Sequence, residues 1–205
     1  MSGRITIFGY GPVGQATAER LNAAGRGMLV AQRSKPAALP RGAAFVAADA
    51  LDRDSVIGAT RGSGAIVVAI GFPYAGRLWR VAWPRAIGNF VAACEATGAR
   101  MVFVDNLYMY GPQTARLTET MPLTAYGMKP AARAAATRVW TEAAAEGRAR
   151  VAALRAPDFY GPGVAWAYLG ASTIGARSPR ASPRSGSARP TSCMITPMFR
   201  TSRAR

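Results

Sequence analysis

The sequence predicts an α/β chain built on a doubly wound parallel sheet of about six strands, in the order 3-2-1-4-5-6, followed by a tail of different character. Short apolar runs rich in β-branched residues alternate with longer amphipathic segments, and several of those segments stop at a glycine. Residues 171–205 contain seven arginines and no acid, with no apolar period. The first two observations mean right-handed strand–helix–strand units and a parallel sheet covered on both faces. The third sets residues 1–170 apart as the domain and residues 171–205 as a basic tail of disordered composition.

In chain order, the strands are expected at Arg4–Phe8, Met28–Gln32, Ala44–Ala47, Ala65–Ile70, Arg100–Asp105 and Arg150–Arg155. Helices are expected at Val13–Ala24 before Gly25, at Asp52–Thr60, at Pro84–Thr97 before Gly98, and at Pro130–Ala145 before Gly147. Glycine just past a helical pattern supplies the left-handed residue that closes the last turn. Proline is comfortable in the first turn, where its missing N–H is not needed. That rule fixes the expected starts at Pro84 and near Lys129–Pro130.

Composition narrows the chemistry. Histidine is absent, which removes imidazole bases, Ser-His and Cys-His nucleophile systems, and most zinc sites. The two cysteines, Cys94 and Cys193, are far apart and fit no metal spacing, so no metal site and a reduced, cytoplasmic setting are expected. No run of eighteen apolar residues exists, and no leader pattern precedes Arg4, so no membrane partner is expected. The net charge of +16 falls to 19 basic against 10 acidic residues once the tail is set aside. Those charges are scattered singly rather than striped with aromatics, which disfavours nucleic acid as a partner. A small-molecule substrate is the expected partner, and a homodimer is compatible with it.

Gly9-Tyr-Gly11-Pro12-Val13-Gly14 falls directly between the first strand and its helix, where a dinucleotide-binding Rossmann turn belongs. Gly9 allows the tight turn, Gly11 lets the pyrophosphate approach the backbone, and Gly14 lets the helix pack close to the strand. Pro12 and Val13 open the helix, whose free N–H groups and positive dipole end face the phosphates. The second strand ends Ala31-Gln32-Arg33-Ser34-Lys35, with no acid to hold a ribose 2′-hydroxyl. Arg33 can clamp a 2′-phosphate, with Ser34 as hydroxyl donor and Lys35 as added charge, so NADP is expected over NAD.

Two further segments carry a family resemblance. Val104-Asp105-Asn106-Leu107-Tyr108-Met109-Tyr110-Gly111-Pro112 resembles the strand–Ser-Ser–Val-Tyr-Gly segment of extended short-chain dehydrogenases/reductases, the NAD-dependent epimerases and dehydratases of nucleotide sugars. Arg155-Ala-Pro-Asp158-Phe-Tyr160-Gly-Pro-Gly163 resembles their Arg-x-x-Asn-x-Tyr-Gly-Pro-Gly segment. The resemblance implies hydride transfer on a sugar-nucleotide-like or other carbonyl/alcohol substrate, and places an adenine-contacting acid at Asp49. It also implies a catalytic Tyr-x-x-x-Lys pair, whose nearest match is Tyr126-Gly-Met-Lys129, with lysine three residues on instead of four. Asn106 stands where the family has a catalytic Ser or Thr. Tyr126 is then the candidate acid/base, Lys129 the cation that would stabilise its phenolate, and Asn106 a donor polarising the carbonyl. Tyr108, Tyr110, Asp158 and Tyr160, at the carboxyl ends of strands five and six, are substrate-side candidates. Phe72 through Trp83 should line the nicotinamide side or cover the sheet. The departures at Asn106 and Lys129 leave a non-catalytic NADP-binding sensor, or a truncated pseudo-enzyme, as the alternative.

The tail has a specific expectation. Codons permitted for Met198–Ala204, read one base out of frame, can encode Tyr-Val-Pro-Asp-Phe-Ala-Arg, which resembles a segment of the family's substrate region. A single-base insertion or deletion near residues 171–176 would account for the change of character.

Overall fold

The computed structural model describes residues 3–159, so Tyr160 and the tail lie outside the described residues. Six strands form one parallel sheet in the order β3-β2-β1-β4-β5-β6. They are β1 (Arg4–Phe8), β2 (Met28–Gln32), β3 (Ala43–Ala47), β4 (Ser63–Val68), β5 (Arg100–Asp105) and β6 (Arg150–Arg155). The helices are α1 (Pro12–Ala23), α2 (Arg53–Thr60), α3 (Gly76–Thr97) and α4 (Met128–Ala145), with a single turn of 3-10 helix at Tyr108–Tyr110. This is the Rossmann order expected from the sequence. None of the described helices is long and apolar enough to cross a membrane.

Strand alternation distributes the chain between two faces. Ile7 packs with Ala18 of α1 and Met28 on one face. Phe8, Ile66, Val68, Met101 and Phe103 point to the other, where Val56 of α2, Trp83 and Phe90 of α3, and Trp140 of α4 complete the main core. Phe8 and Phe90 meet edge to face with centroids 4.8 Å apart, and the Trp83 and Phe103 rings approach within 6.2 Å. Burying each such aromatic removes about 150–250 Å² from water, which makes this layer the main source of stability.

Local chemistry places the helix ends. Asp52 caps α2 by accepting from the Ser55 N–H at 2.8 Å, the expected role of a side-chain oxygen at a helix start. Gly98 closes α3 at φ +71°, where its N–H reaches the Cys94 carbonyl.

Three expected boundaries need correction. The third helix starts at Gly76, not Pro84, and runs through that proline. Proline forfeits one backbone bond there, but the eight residues before it carry Trp79, Ala82 and Trp83 into the core, and that burial outweighs the loss. The fourth strand starts at Ser63 and ends at Val68, because the Thr6 hydroxyl bonds Ser63 at 2.7 Å and draws the earlier residues into the ladder. The fourth helix starts at Met128, leaving Pro130 within its first turn.

Candidate functional site

The glycine turn emerges from the carboxyl end of β1 and delivers the chain to α1. Gly9 has φ +90°, and an added Cβ there would lie 2.5 Å from the Ala69 carbonyl oxygen. A Cβ on Gly14 would meet the Gly9 carbonyl at 2.0 Å, so the close packing of helix on strand requires glycine. Gly11 is different: a Cβ there would meet nothing within 4 Å. The space beside it is open to a ligand. Gly11 is also the N-cap of α1 and Pro12 its first residue, so the N–H groups of Val13 and Gly14 begin a helix with no capping side chain. That arrangement suits a diphosphate.

The turn borders a cavity of about 530 Å³ over the ends of β1 to β4, whose wall includes Gly9, Gly11, Arg33, Ser34, Asp49 and Gly71. Of the predicted cofactor residues, Gly9, Gly11, Arg33, Ser34 and Asp49 converge on it, while Pro12, Val13 and Gly14 stand behind the turn in α1. Arg33 and Ser34 are exposed at its rim. Asp49 accepts from the Leu51 N–H at 2.9 Å, shaping the loop that follows β3.

Two residues not foreseen hold this rim. Gln32 Oε1 accepts from the Tyr10 N–H at 3.0 Å, while its Nε2 donates to the Ser34 carbonyl at 2.7 Å. The amide thus ties the glycine turn to the Arg33–Ser34 loop. Asn89 of α3, nearly buried, donates from Nδ2 to the Ala50 carbonyl at 2.9 Å and anchors the opposite wall.

A second cavity of about 310 Å³ lies over the ends of β4, β5 and β6. It meets the first along Ile70, Gly71 and Phe72. Trp79 stacks on Tyr108 at 5.9 Å and 24°, and Tyr74 meets both rings edge on. The Tyr74 and Tyr108 hydroxyls lie 3.2 Å apart. Burial, then the hydrogen bond to Tyr74, push the Tyr108 hydroxyl up to about 12. Asp105 and Arg133 form part of the wall and are buried.

The family model described as the NAD dependent epimerase/dehydratase family matches residues 5–172. The chain belongs to that family. Solved structures similar to it include MoeE5 in complex with UDP-glucose and NAD, at 21% identity and TM-score 0.64, covering 78% of this chain and 56% of that one. The Bordetella bronchiseptica enzyme WbmH in complex with NAD+ matches at 18% and 0.68, covering 80% and 58%. UDP-glucose 4-epimerase from Brucella ovis, also in complex with NAD, matches at 19% and 0.67, covering 78% and 53%. At these identities the likeness establishes the fold, and the chain spans little more than half the length of each structure. No curated protein gives a significant match.

Within this epimerase/dehydratase-family chain the remaining predicted residues separate. Tyr126 lies in the loop before α4, 67% exposed. It lines a shallow hollow that shares Tyr108 and Pro157 with the aromatic cavity. Lys129 does not bond it, and its ammonium instead sits 3.0 Å over the Tyr74 ring, an attractive cation–π placement. Asn106 Oδ1 accepts from the Tyr108 N–H at 3.1 Å, and the residue lines the aromatic cavity. Asp158 lines the same cavity.

Tyr110 is buried, and its hydroxyl accepts from Arg155 Nη1. Burial holds that hydroxyl above its ordinary range against the opposing pull of Arg155. Arg155 also bonds Asp105, whose other oxygen accepts from Arg133. This Asp105–Arg133–Arg155–Tyr110 network escaped the sequence reading. A signal for it exists: the spacing Arg133, Thr137, Trp140 sets an arginine on the apolar face of α4.

Proposed function

We propose that the chain binds NADP and acts by hydride transfer on a sugar-nucleotide-like or other carbonyl/alcohol substrate, as an NAD(P)-dependent oxidoreductase or epimerase. The observation that carries this reading is the open backbone at Gly11, facing a cavity whose rim holds Arg33 and Ser34 where an acid would select NAD. The NAD named with the similar structures supports a nicotinamide dinucleotide, while the residues after β2 support the extra phosphate.

In this reading the turn from Gly9 to Gly14, with Pro12 and Val13 opening the helix, carries the diphosphate. Asp49 faces the adenine side, and Arg33 and Ser34 take the 2′-phosphate. When bound, the nicotinamide supplies the hydride chemistry. Asn106 donates to the substrate carbonyl, and Tyr126 moves the proton with Lys129 nearby. Tyr108 and Asp158 border the substrate. NADPH and NADH titrations, followed by fluorescence, test the cofactor assignment. Arg33→Ala is expected to weaken NADPH at least about tenfold and leave NADH unchanged. Tighter binding of NADH than NADPH by the unaltered chain would retire it. Tyr126→Phe is expected to abolish NADP-dependent turnover while cofactor binding persists, and unchanged rates would remove Tyr126 from its role.

A second reading is supported by the placement of Lys129 on Tyr74 instead of Tyr126: a non-catalytic NADP-binding protein. Tight NADPH binding without turnover of any alcohol or carbonyl compound would favour it.

A further inference from the structure

Every strand of the sheet begins at or just after an arginine. Arg4, Arg100 and Arg150 are the first residues of β1, β5 and β6, and Arg26, Arg41 and Arg61 stand two residues before β2, β3 and β4. All strands of a parallel sheet start on the same edge. Charges that stand singly along the sequence are thereby gathered into one row, in the order Arg41, Arg26, Arg4, Arg61, Arg100, Arg150. Neighbouring strands lie about 4.8 Å apart, so the row runs for about 24 Å. All six residues are exposed. Arg100 and Arg150 are partners in the register of β5 and β6, which sets two like charges side by side at a cost.

Neighbouring groups do not neutralise this row. Glu95 and Glu146 are both engaged by a further arginine, Arg148, at 2.6 and 2.5 Å. Arg4 donates to the Arg61 carbonyl and Arg150 to the Gly98 carbonyl, each at 2.8 Å, and those carbonyls end α2 and α3. The two bonds hold guanidiniums in place and leave further N–H groups to give. Helix ends alone do not account for the row, because the side chains of Arg41, Arg61 and Arg100 make no hydrogen bond or ion pair among the described residues. Beside Arg4 and Arg26 lies a hollow of about 620 Å³ bordered by Gly25, Gly27 and Gly42. A Cβ on any of these three would meet nothing within 4 Å, so the backbone there is open to close approach.

We infer that this edge of the sheet binds the phosphate backbone of duplex DNA without reading its sequence. Duplex DNA carries one negative charge per about 1.7 Å of its axis, a line of charge suited to a line of arginines, and guanidiniums pair with phosphate oxygens in planar forks. A bilayer surface calls for apolar side chains to insert. The exposed large apolar residues of the described chain, Tyr74, Leu78, Val81, Tyr126 and Met128, instead belong to the approaches and first turns of α3 and α4, at the opposite edge. Single-stranded bases call for aromatic platforms, and those exposed aromatics are equally distant. Phosphate contact remains, which fixes position and carries no base preference. The site is separate from the dinucleotide cleft, which lies at the other ends of the strands, about 16 Å away.

The test follows the full chain binding a short, labelled DNA duplex by fluorescence anisotropy across a salt series. Replacing Arg41, Arg61 and Arg100 together by glutamine should weaken binding at least about tenfold and lower the slope of log affinity against log salt by about 3. Lysine at the same three positions keeps the charge and should hold affinity within about threefold of the unaltered chain. The control removes three exposed arginines at the opposite edge, Arg53, Arg77 and Arg80, and should cost less than about threefold. The arginines of residues 171–205 are common to every variant and cancel in the comparison. Equal losses for the two glutamine triples, as would follow if net charge or the tail alone held the DNA, overturn the proposal. Phosphatidylserine vesicles form a second arm: if the Arg41, Arg61 and Arg100 triple weakens their binding as much as it weakens DNA binding, the edge serves a membrane and the proposal fails. Saturating NADPH should change DNA affinity by less than about twofold, and its displacing the duplex would place the phosphates on the glycine turn instead. The comparison of variants decides the matter whether or not NADPH binds.

Discussion

The two ends of the cleft are built from different materials. Over β1 to β3 the site is mostly backbone: glycines without side chains, a helix start without a cap, and a rim tied by one amide. Over β4 to β6 it is mostly side chain, with six aromatic residues, a lysine laid on a tyrosine, and a carboxylate between two guanidiniums. The first end is shaped by leaving room, and the second by filling it. A substitution should therefore do most harm at the first end when it adds an atom, and at the second when it removes one.

Gly14→Ala is the sharpest way to break that contrast. Its Cβ would lie 2.0 Å from the Gly9 carbonyl oxygen, so helix and strand must separate. A loss of about 3 kcal/mol or more is expected in urea unfolding, with dinucleotide binding abolished. Gly11→Ala adds the same methyl where nothing lies within 4 Å. Stability should change by less than about 1 kcal/mol, while NADPH binding weakens. Similar losses of stability for the two variants would refute the backbone account.

Asp105→Ala probes the other end. It leaves Arg133 and Arg155 facing each other without their shared carboxylate, and a buried cation stripped of its partner costs about 3–5 kcal/mol. A small change in the urea midpoint would mean that the network is not the support of this wall.

The gentlest effect concerns pH. The Tyr108 hydroxyl is raised from 10.0 to about 12, first by burial and then by its bond to Tyr74. Below pH 10 the phenol is protonated in folded and unfolded chains alike, so it adds no pH dependence. Between pH 10 and 12 the unfolded chain gives up that proton first, and stability falls as pH rises. Tyr108→Phe should make this decline shallower, as measured by unfolding midpoints across that range, and an identical decline would show that Tyr108 does not contribute.

The same contrast explains what the sequence made legible. The sheet order, the turn and its glycines follow from periodicity and local sterics, which neighbouring residues determine. Gly9, Gly14, Arg33 and Asp49 could be placed because each depends on its position after a strand. The start of α3 could not: Pro84 is a strong local signal, and only the burial of Trp79 and Trp83 against distant strands overrides it. Arg133 and Asp105 are 28 residues apart in sequence, and no spacing rule joins the end of a strand to the middle of a helix. Lys129 was expected beside Tyr126, but the ring it meets belongs to Tyr74, in a loop whose course no local pattern specifies.

Gln32 gives the rim of the cleft a particular constraint. Its side chain serves as acceptor toward one loop and donor toward the next, a double duty that a carboxylate, having no hydrogen to give, cannot perform. Replacing it with the acid suited to a free ribose would detach the Arg33–Ser34 loop in the same stroke. Loop anchorage thus rests on a single amide, and an acid at this position must recruit a second residue to hold the loop.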